Sequence, residues 1–146
     1  MMFTKFILYG LLGWCAEVFW TAIEDALFRG NRDWRFKGHS YLWSFPIYGS
    51  AAFLFEPLRD AVSALPWVAR GLIYVACIWS VEYTAGWVLR RATGVSPWDY
   101  TDCPHHLHGL ISWDYFPLWF AFGFILEYLH DRFAVLTPQI IAAFSV

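Results

Sequence analysis

Four stretches of this chain, residues 6–23, 41–58, 68–89 and 111–130, are apolar over about the length that a helix needs to cross a hydrocarbon core, roughly 17–25 residues. Each of them nevertheless holds one glutamate: Glu17, Glu56, Glu82 and Glu127. A charged carboxylate near the centre of a bilayer costs on the order of 2.5–3.5 kcal/mol on insertion scales, so each acid requires a partner, a proton or a function. Composition supports a membrane setting. Hydrophobic residues make up 59% of the 146, aromatics 22% and charged residues 15%, against roughly 25% charged in soluble domains. Ten Trp and eight Tyr suit a chain with much of its surface near lipid headgroups.

The net charge of -2 argues against a nucleic-acid partner, whose affinity would come from phosphate neutralisation. Three cysteines, Cys15, Cys77 and Cys103, form no Cys-x-x-Cys pair; Cys15 and Cys77 lie in apolar runs and read as small core residues. Lys5 precedes an apolar run as in a signal peptide, but no small-residue cleavage site follows, so residues 6–23 read as a retained span. The tail, 133–146, is short and contains Pro138, which predicts a segment lying along the interface rather than a fifth crossing. The whole chain reads as one integral membrane domain.

With alternating helices, the two long connections share one membrane face. They carry Arg29, Arg32, Arg35, Lys37, Arg90 and Arg91, against Lys5, Arg59, Arg70 and Arg132 opposite. The positive-inside count therefore places the long loops in the cytoplasm, in a cell inner or plasma membrane.

The chain also repeats itself. Tyr9, Trp14 and Glu17 recur with identical spacing as Tyr74, Trp79 and Glu82, while Gly38, Phe45, Pro46 and Glu56 recur as Gly109, Phe116, Pro117 and Glu127. Trp34 and Trp98 precede the second halves in corresponding places. The fold class expected is an all-α membrane protein: a four-helix transmembrane bundle built from two parallel-repeat helical hairpins with interfacial loops, related by an axis along the membrane normal. At about 1.5 Å per residue, Glu17 and Glu82 both lie roughly 10 Å below the long-loop face and could meet in one layer. Gly10, Gly13 and Thr21 share a helical stripe with Glu17, and Gly86 follows Glu82; small residues let a neighbouring helix approach closely. Glu17 and Glu82 are therefore either protonated packing residues or the intramembrane polar site of a relay or solute pocket. Glu56 and Glu127 fall near Arg59, Arg70, His130 and Arg132, where pairing or solvation suffices.

In the loops, Lys37, His39, Trp98, Asp99 and Tyr100 form a candidate loop site of aromatic anchors and charges. Cys103, His105, His106 and His108 are ligand types suited to zinc or another transition metal, although their spacing matches no established zinc motif. No Gly-x-x-x-x-Gly-Lys, Gly-x-Ser-x-Gly or His-Glu-x-x-His occurs. The cofactor is left unassigned.

Taken in order and spacing, Tyr9-Gly10-Leu11-Leu12-Gly13-Trp14 with Glu17, Lys37-Gly38, Pro46-Ile47-Tyr48-Gly49, Glu82 with Gly86, and Trp98-Asp99-Tyr100 before Gly109 resemble the bacterial family named putative ABC-transporter permease of CmpB type. The animal transmembrane protein 229 family is similar. The resemblance covers nearly the whole chain and implies an integral membrane protein of several helices. Thr101 stands where Ser is common after Trp-Asp-Tyr, and His106 stands in an Asn-like place before Gly109, so the histidine cluster is not expected to be a family-wide site. The expected function is a permease-like transport component for an ion or small polar solute, self-associated or held by a larger membrane partner, with a separate ATPase subunit if it is ABC-type. The alternatives are an intramembrane or lipid-modifying enzyme using Lys37, His39, Asp99 and His108, and a scaffold or assembly subunit of a larger membrane complex.

Overall fold

The computed structural model describes residues 1–27 and 34–144; Arg29, Arg32 and Asp33, part of the first loop's charge, lie outside the described residues. The chain is mostly helical and divides into two compact units, Met1–Phe53 and Leu54–Val146. The helices are α1 (Met2–Leu27), α2 (Ser44–Gly49), α3 (Ala51–Val62), α4 (Trp67–Thr93) and α5 (Phe116–Phe144), with a two-stranded ribbon, β1 (His106–Leu107) and β2 (Ile111–Ser112), before α5. The division between the units falls inside α3.

Two of the four expected crossings are single long helices: α1 and α4 are each long and apolar enough to cross a membrane. Neither contains proline. The other two take different forms. Residues 41–58 divide between α2 and α3 at Ser50, whose N–H is shared between the carbonyls of Pro46 at 3.0 Å and Ile47 at 3.2 Å. The Ser50 hydroxyl takes the Ile47 carbonyl as well, at 2.6 Å, and the chain tightens there before α3 starts. Residues 111–130 begin as β2 and a single 3-10 turn, Trp113–Tyr115, and only then enter α5. Glu127, Asp131 and Arg132 place three charges within the apolar length of α5, so that helix is outside the pair suited to crossing.

The tail expected to lie along the interface continues α5, which passes through Pro138 to Phe144. Proline removes one backbone donor but does not end a helix whose packed face persists. Here Gly123, Leu126, His130, Phe133 and Thr137 are all buried, a 3-4-3-4 spacing that keeps one seam inward along the whole helix. Cys15 also departs from expectation: it is exposed, because the inward stripe of α1 is Lys5, Tyr9, Gly10 and Gly13. Cys77 is half-buried, and all three cysteines are free.

In the first unit α1 packs on α2. Phe45 lies against Trp14, ring centroids 6.2 Å apart, and a Cβ on Gly49 would lie 2.6 Å from the ring of Phe6. In the second unit α4 packs on α5. Phe116 lies 6.1 Å from Trp79, and the ring of Phe120 fills the space over Gly71. Tyr74 is wholly buried, in a notch where a Cβ on Gly123 would come within 2.6 Å of it.

The hydroxyl of Tyr74 donates to Glu127 Oε2 at 2.8 Å, and the Arg70 guanidinium grips the same carboxylate through Nε at 3.2 Å and Nη2 at 3.1 Å. Beside this fork, Arg59 Nη2 meets Asp131 at 2.7 Å and His130 Nε2 meets Asp60 at 3.3 Å. This end of the second unit is thus a lattice of ion pairs, in agreement with the pairing expected for Glu127. Glu127→Gln leaves a half-buried guanidinium without its counter-charge. We expect a loss of about 1–3 kcal/mol, read by unfolding in detergent, and non-additivity with Tyr74→Phe in a double-mutant cycle. Unchanged stability, or simple additivity, would contradict the shared-carboxylate arrangement.

Candidate functional site

Each unit puts a carboxylate on the inward stripe of its long helix. In α1, Lys5, Tyr9, Gly13, Glu17 and Thr21 follow at intervals of four, so Glu17 faces the partner segment instead of leaving the packed face. It accepts hydrogen bonds from the side chains of Ser44, Ser40 and Tyr48. Tyr48 lies directly over Gly13, where any side chain would collide with its ring. One turn beyond Glu17, the Thr21 hydroxyl donates to the His39 carbonyl at 2.7 Å and receives the His39 N–H at 2.9 Å. The loop reaches this depth because Gly38 lies against the Val18 carbonyl, with no room for a Cβ. Lys37 and the His39 ring remain exposed. Phe36 takes a positive φ of 48° and stacks edge-on with Trp34 at 6.0 Å.

In the second unit the acid is Glu82. Its Oε1 accepts the Tyr100 hydroxyl at 2.6 Å, and its Oε2 is buried without a hydrogen-bond partner among the described residues. The indole N–H of Trp79, one turn earlier on α4, is likewise buried and unpartnered. Above Glu82, Leu110 and Trp98 cover Gly86; a Cβ there would lie 2.8 Å from Leu110 Cδ2 and 3.2 Å from Trp98 Cζ2. Trp98 Nε1 donates to the Leu110 carbonyl at 3.0 Å, which ties the start of the loop to its end. Tyr100 is fixed from both sides. Its N–H donates to the Gly109 carbonyl at 3.0 Å, and its ring lies 5.3 Å from that of Tyr115.

The strand ribbon makes this closure possible. Leu110 N–H donates to the Leu107 carbonyl at 3.0 Å around His108 and Gly109, which have φ of 53° and 68°. Positive φ at both central residues is the type I′ pattern, whose twist suits a hairpin. A Cβ on Gly109 would also lie 2.8 Å from Thr101 and 2.9 Å from Asp99 Oδ1.

Of the residues singled out from sequence, Trp98, Tyr100 and Glu82 thus belong to one arrangement in the second unit. Asp99 is engaged within the loop: its Oδ1 accepts the Thr101 N–H at 3.0 Å. Lys37, His39 and Glu17 belong to the first unit. Among the described residues no three His, Cys, Asp or Glu side chains converge as a metal site, and the histidines are engaged separately. His105 Nδ1 pairs with Asp114 at 2.9 Å, His106 Nδ1 accepts the Gly109 N–H at 2.9 Å, and His108 Nδ1 is hydrogen-bonded to the Tyr83 hydroxyl at 2.9 Å. Ser40, Ser44, Tyr48 and Thr21 are the polar partners that sequence reading left out of the site. The interval of four from Ser44 to Tyr48 is the signal that places both hydroxyls on one face of α2.

The loop chemistry carries a pH signature. Asp99 is held below the usual carboxylate range, first by the Thr101 N–H, then by the Thr101 hydroxyl and by the positive charge of Arg90. A depressed carboxylate contributes its stabilisation above the unfolded value and loses it as pH falls through the lower folded value. The Thr101 amide resonance should therefore hold its position on acidification to about pH 4, the ordinary Asp value, and move only below it. A transition at or above that value, or one unchanged in Asp99→Ala, would contradict this geometry.

No solved structure matches the chain. Its sequence matches, over residues 4–144, the family described as Putative ABC-transporter type IV. That match spans both units, both carboxylate-bearing helices and both loops, and the chain belongs to this family.

Proposed function

We propose that the chain is a permease-like component of a membrane transport system for an ion or small polar solute, with Glu17 and Glu82 as the carboxylates of its polar site. The observation that carries this reading is the state of Glu82. One oxygen is capped by Tyr100 and the other is buried with no partner, on a helix long and apolar enough to cross a bilayer. A buried acceptor left open is costly unless something fills it. A solute offering positive charge or a hydrogen-bond donor would do so, and the unpartnered Trp79 N–H one turn earlier on α4 is a second polar group left open. The family description supports a transport setting.

On this reading the whole chain is one membrane domain of an inner or plasma membrane, and residues 6–58 and 68–130 are copies of one helical-hairpin plan. Support comes from contacts that recur at matched positions. Trp14 with Phe45 matches Trp79 with Phe116. Thr21 with His39 matches Gly86 with Leu110. Gly49 under Phe6 matches Phe120 over Gly71, with the large and small partners exchanged between the helices. A chain of 146 residues has little room for a pathway of its own, which favours self-association or a larger membrane partner. With no phosphate-loop motif in the sequence, an ABC-type system would take its energy from a separate ATPase subunit.

Glu82→Gln keeps the shape of the side chain and removes its charge. Flux of the transported species in vesicles should fall roughly tenfold or more, the scale of a lost charge-assisted hydrogen bond, with the protein still folded. Tyr100→Phe should reduce flux less, because Glu82 keeps its charge. Wild-type flux in folded Glu82→Gln would refute the assignment of Glu82.

A further inference from the structure

A cavity of about 330 Å³ opens beside the last turns of α4, lined by Tyr83, Trp87, Arg90, Arg91, His108 and Leu110. It contains no carboxylate, and its charged groups are both guanidinium. Arg90 is fixed by one bond, from Nη1 to the His108 carbonyl at 2.9 Å, which leaves its other N–H groups available. Arg91 lies over the Trp87 ring, 5.2 Å from the centroid, an arrangement that orients the cation without using its hydrogen-bond donors. Among the described residues neither arginine forms an ion pair with an acid. Asp99, which feels the charge of Arg90, gives its Oδ1 to the Thr101 N–H.

Arginines at a helix C-terminus also answer the negative end of the helix dipole. That role is already partly met here, because the Gly94 N–H takes the Arg90 carbonyl at 3.0 Å and the Thr93 hydroxyl takes the Leu89 carbonyl at 2.8 Å. Both guanidiniums line the one cavity, and an anion held there would answer both charges. The planar fork of N–H groups matches a tetrahedral oxyanion, and Trp87, Tyr83 and Leu110 offer apolar surface to whatever the anion is attached to.

We propose that this cavity binds a phosphate group, gripped by Arg90 and Arg91. The group could arrive as a phospholipid headgroup or as free phosphate. The inference is independent of the transport reading, since it uses neither Glu17 nor Glu82.

The test uses the full chain in mild detergent, titrated with short-chain phosphatidic acid, with inorganic phosphate, and with the matching diacylglycerol, and followed by thermal stabilisation and ³¹P line broadening. We expect phosphatidic acid to bind and diacylglycerol not to. Arg91→Gln, at an exposed position, should weaken binding roughly tenfold, and Arg91→Lys should fall between the two because it keeps charge without the fork. Binding of inorganic phosphate alone supports the site with a soluble source, and binding of phosphatidic acid alone supports a lipid source. If neither phosphate-bearing probe binds, or if folded Arg91→Gln binds as tightly as the wild type, the proposal is overturned.

Discussion

A carboxylate on an apolar helix has to be met by polar groups from elsewhere in the chain, and most of the structure around the two long helices follows from that requirement. Glu82 is met by the Tyr100 hydroxyl at 2.6 Å. For Tyr100 to arrive there, the loop after α4 must fold back, Trp98 must bind the Leu110 carbonyl, and the hairpin must turn through two residues of positive φ. Glu17 imposes the same demand on the first unit, where Ser40, Ser44 and Tyr48 answer it. The approach of each partner segment depends on a helix position without a bulky side chain, Gly13 under Tyr48 of α2 and Gly86 under Leu110 of the loop. Acids and small residues on these helices are thus parts of one device, because the acid needs a partner and the small residue makes room for it.

The opposite end of the second unit solves the same electrostatic problem in another way. Glu127 is gripped by Arg70 and Tyr74, Arg59 meets Asp131, and His130 meets Asp60. These contacts tie α3 and α4 to α5, although His130 Nδ1 and Arg59 Nε are buried without a hydrogen-bond partner among the described residues. Both oxygens of Glu127 are bonded, whereas one oxygen of Glu82 is not.

Much of this was legible in the sequence, and its limits have physical causes. The extents of α1 and α4 follow from long apolar runs without proline, and the pairing of Glu127 followed from nearby arginines. The contact between Tyr100 and Glu82 joins residues 18 apart across a loop whose turn is built on His108 and Gly109. Asn-Gly would have announced that turn, whereas His-Gly does not. Pro138 was the other obstacle. It stands inside α5, since tertiary packing outweighs the loss of one backbone hydrogen bond, and the extension of α5 to Phe144 was missed for that reason. The residue types of Cys103, His105, His106 and His108 suit a metal ion, while the hairpin directs the three histidine rings to Asp114, to a backbone amide and to Tyr83.

On the transport reading α1 and α4 each cross a bilayer, so the two ends of each helix lie on opposite sides of it. Site-directed thiol labelling in sealed proteoliposomes tests this most directly, with single cysteines introduced at the two ends of each helix in a background lacking Cys15, Cys77 and Cys103. Positions 2 and 34 should label from opposite sides, and positions 67 and 95 should do the same. Labelling of both ends of either helix from the same side would contradict that reading.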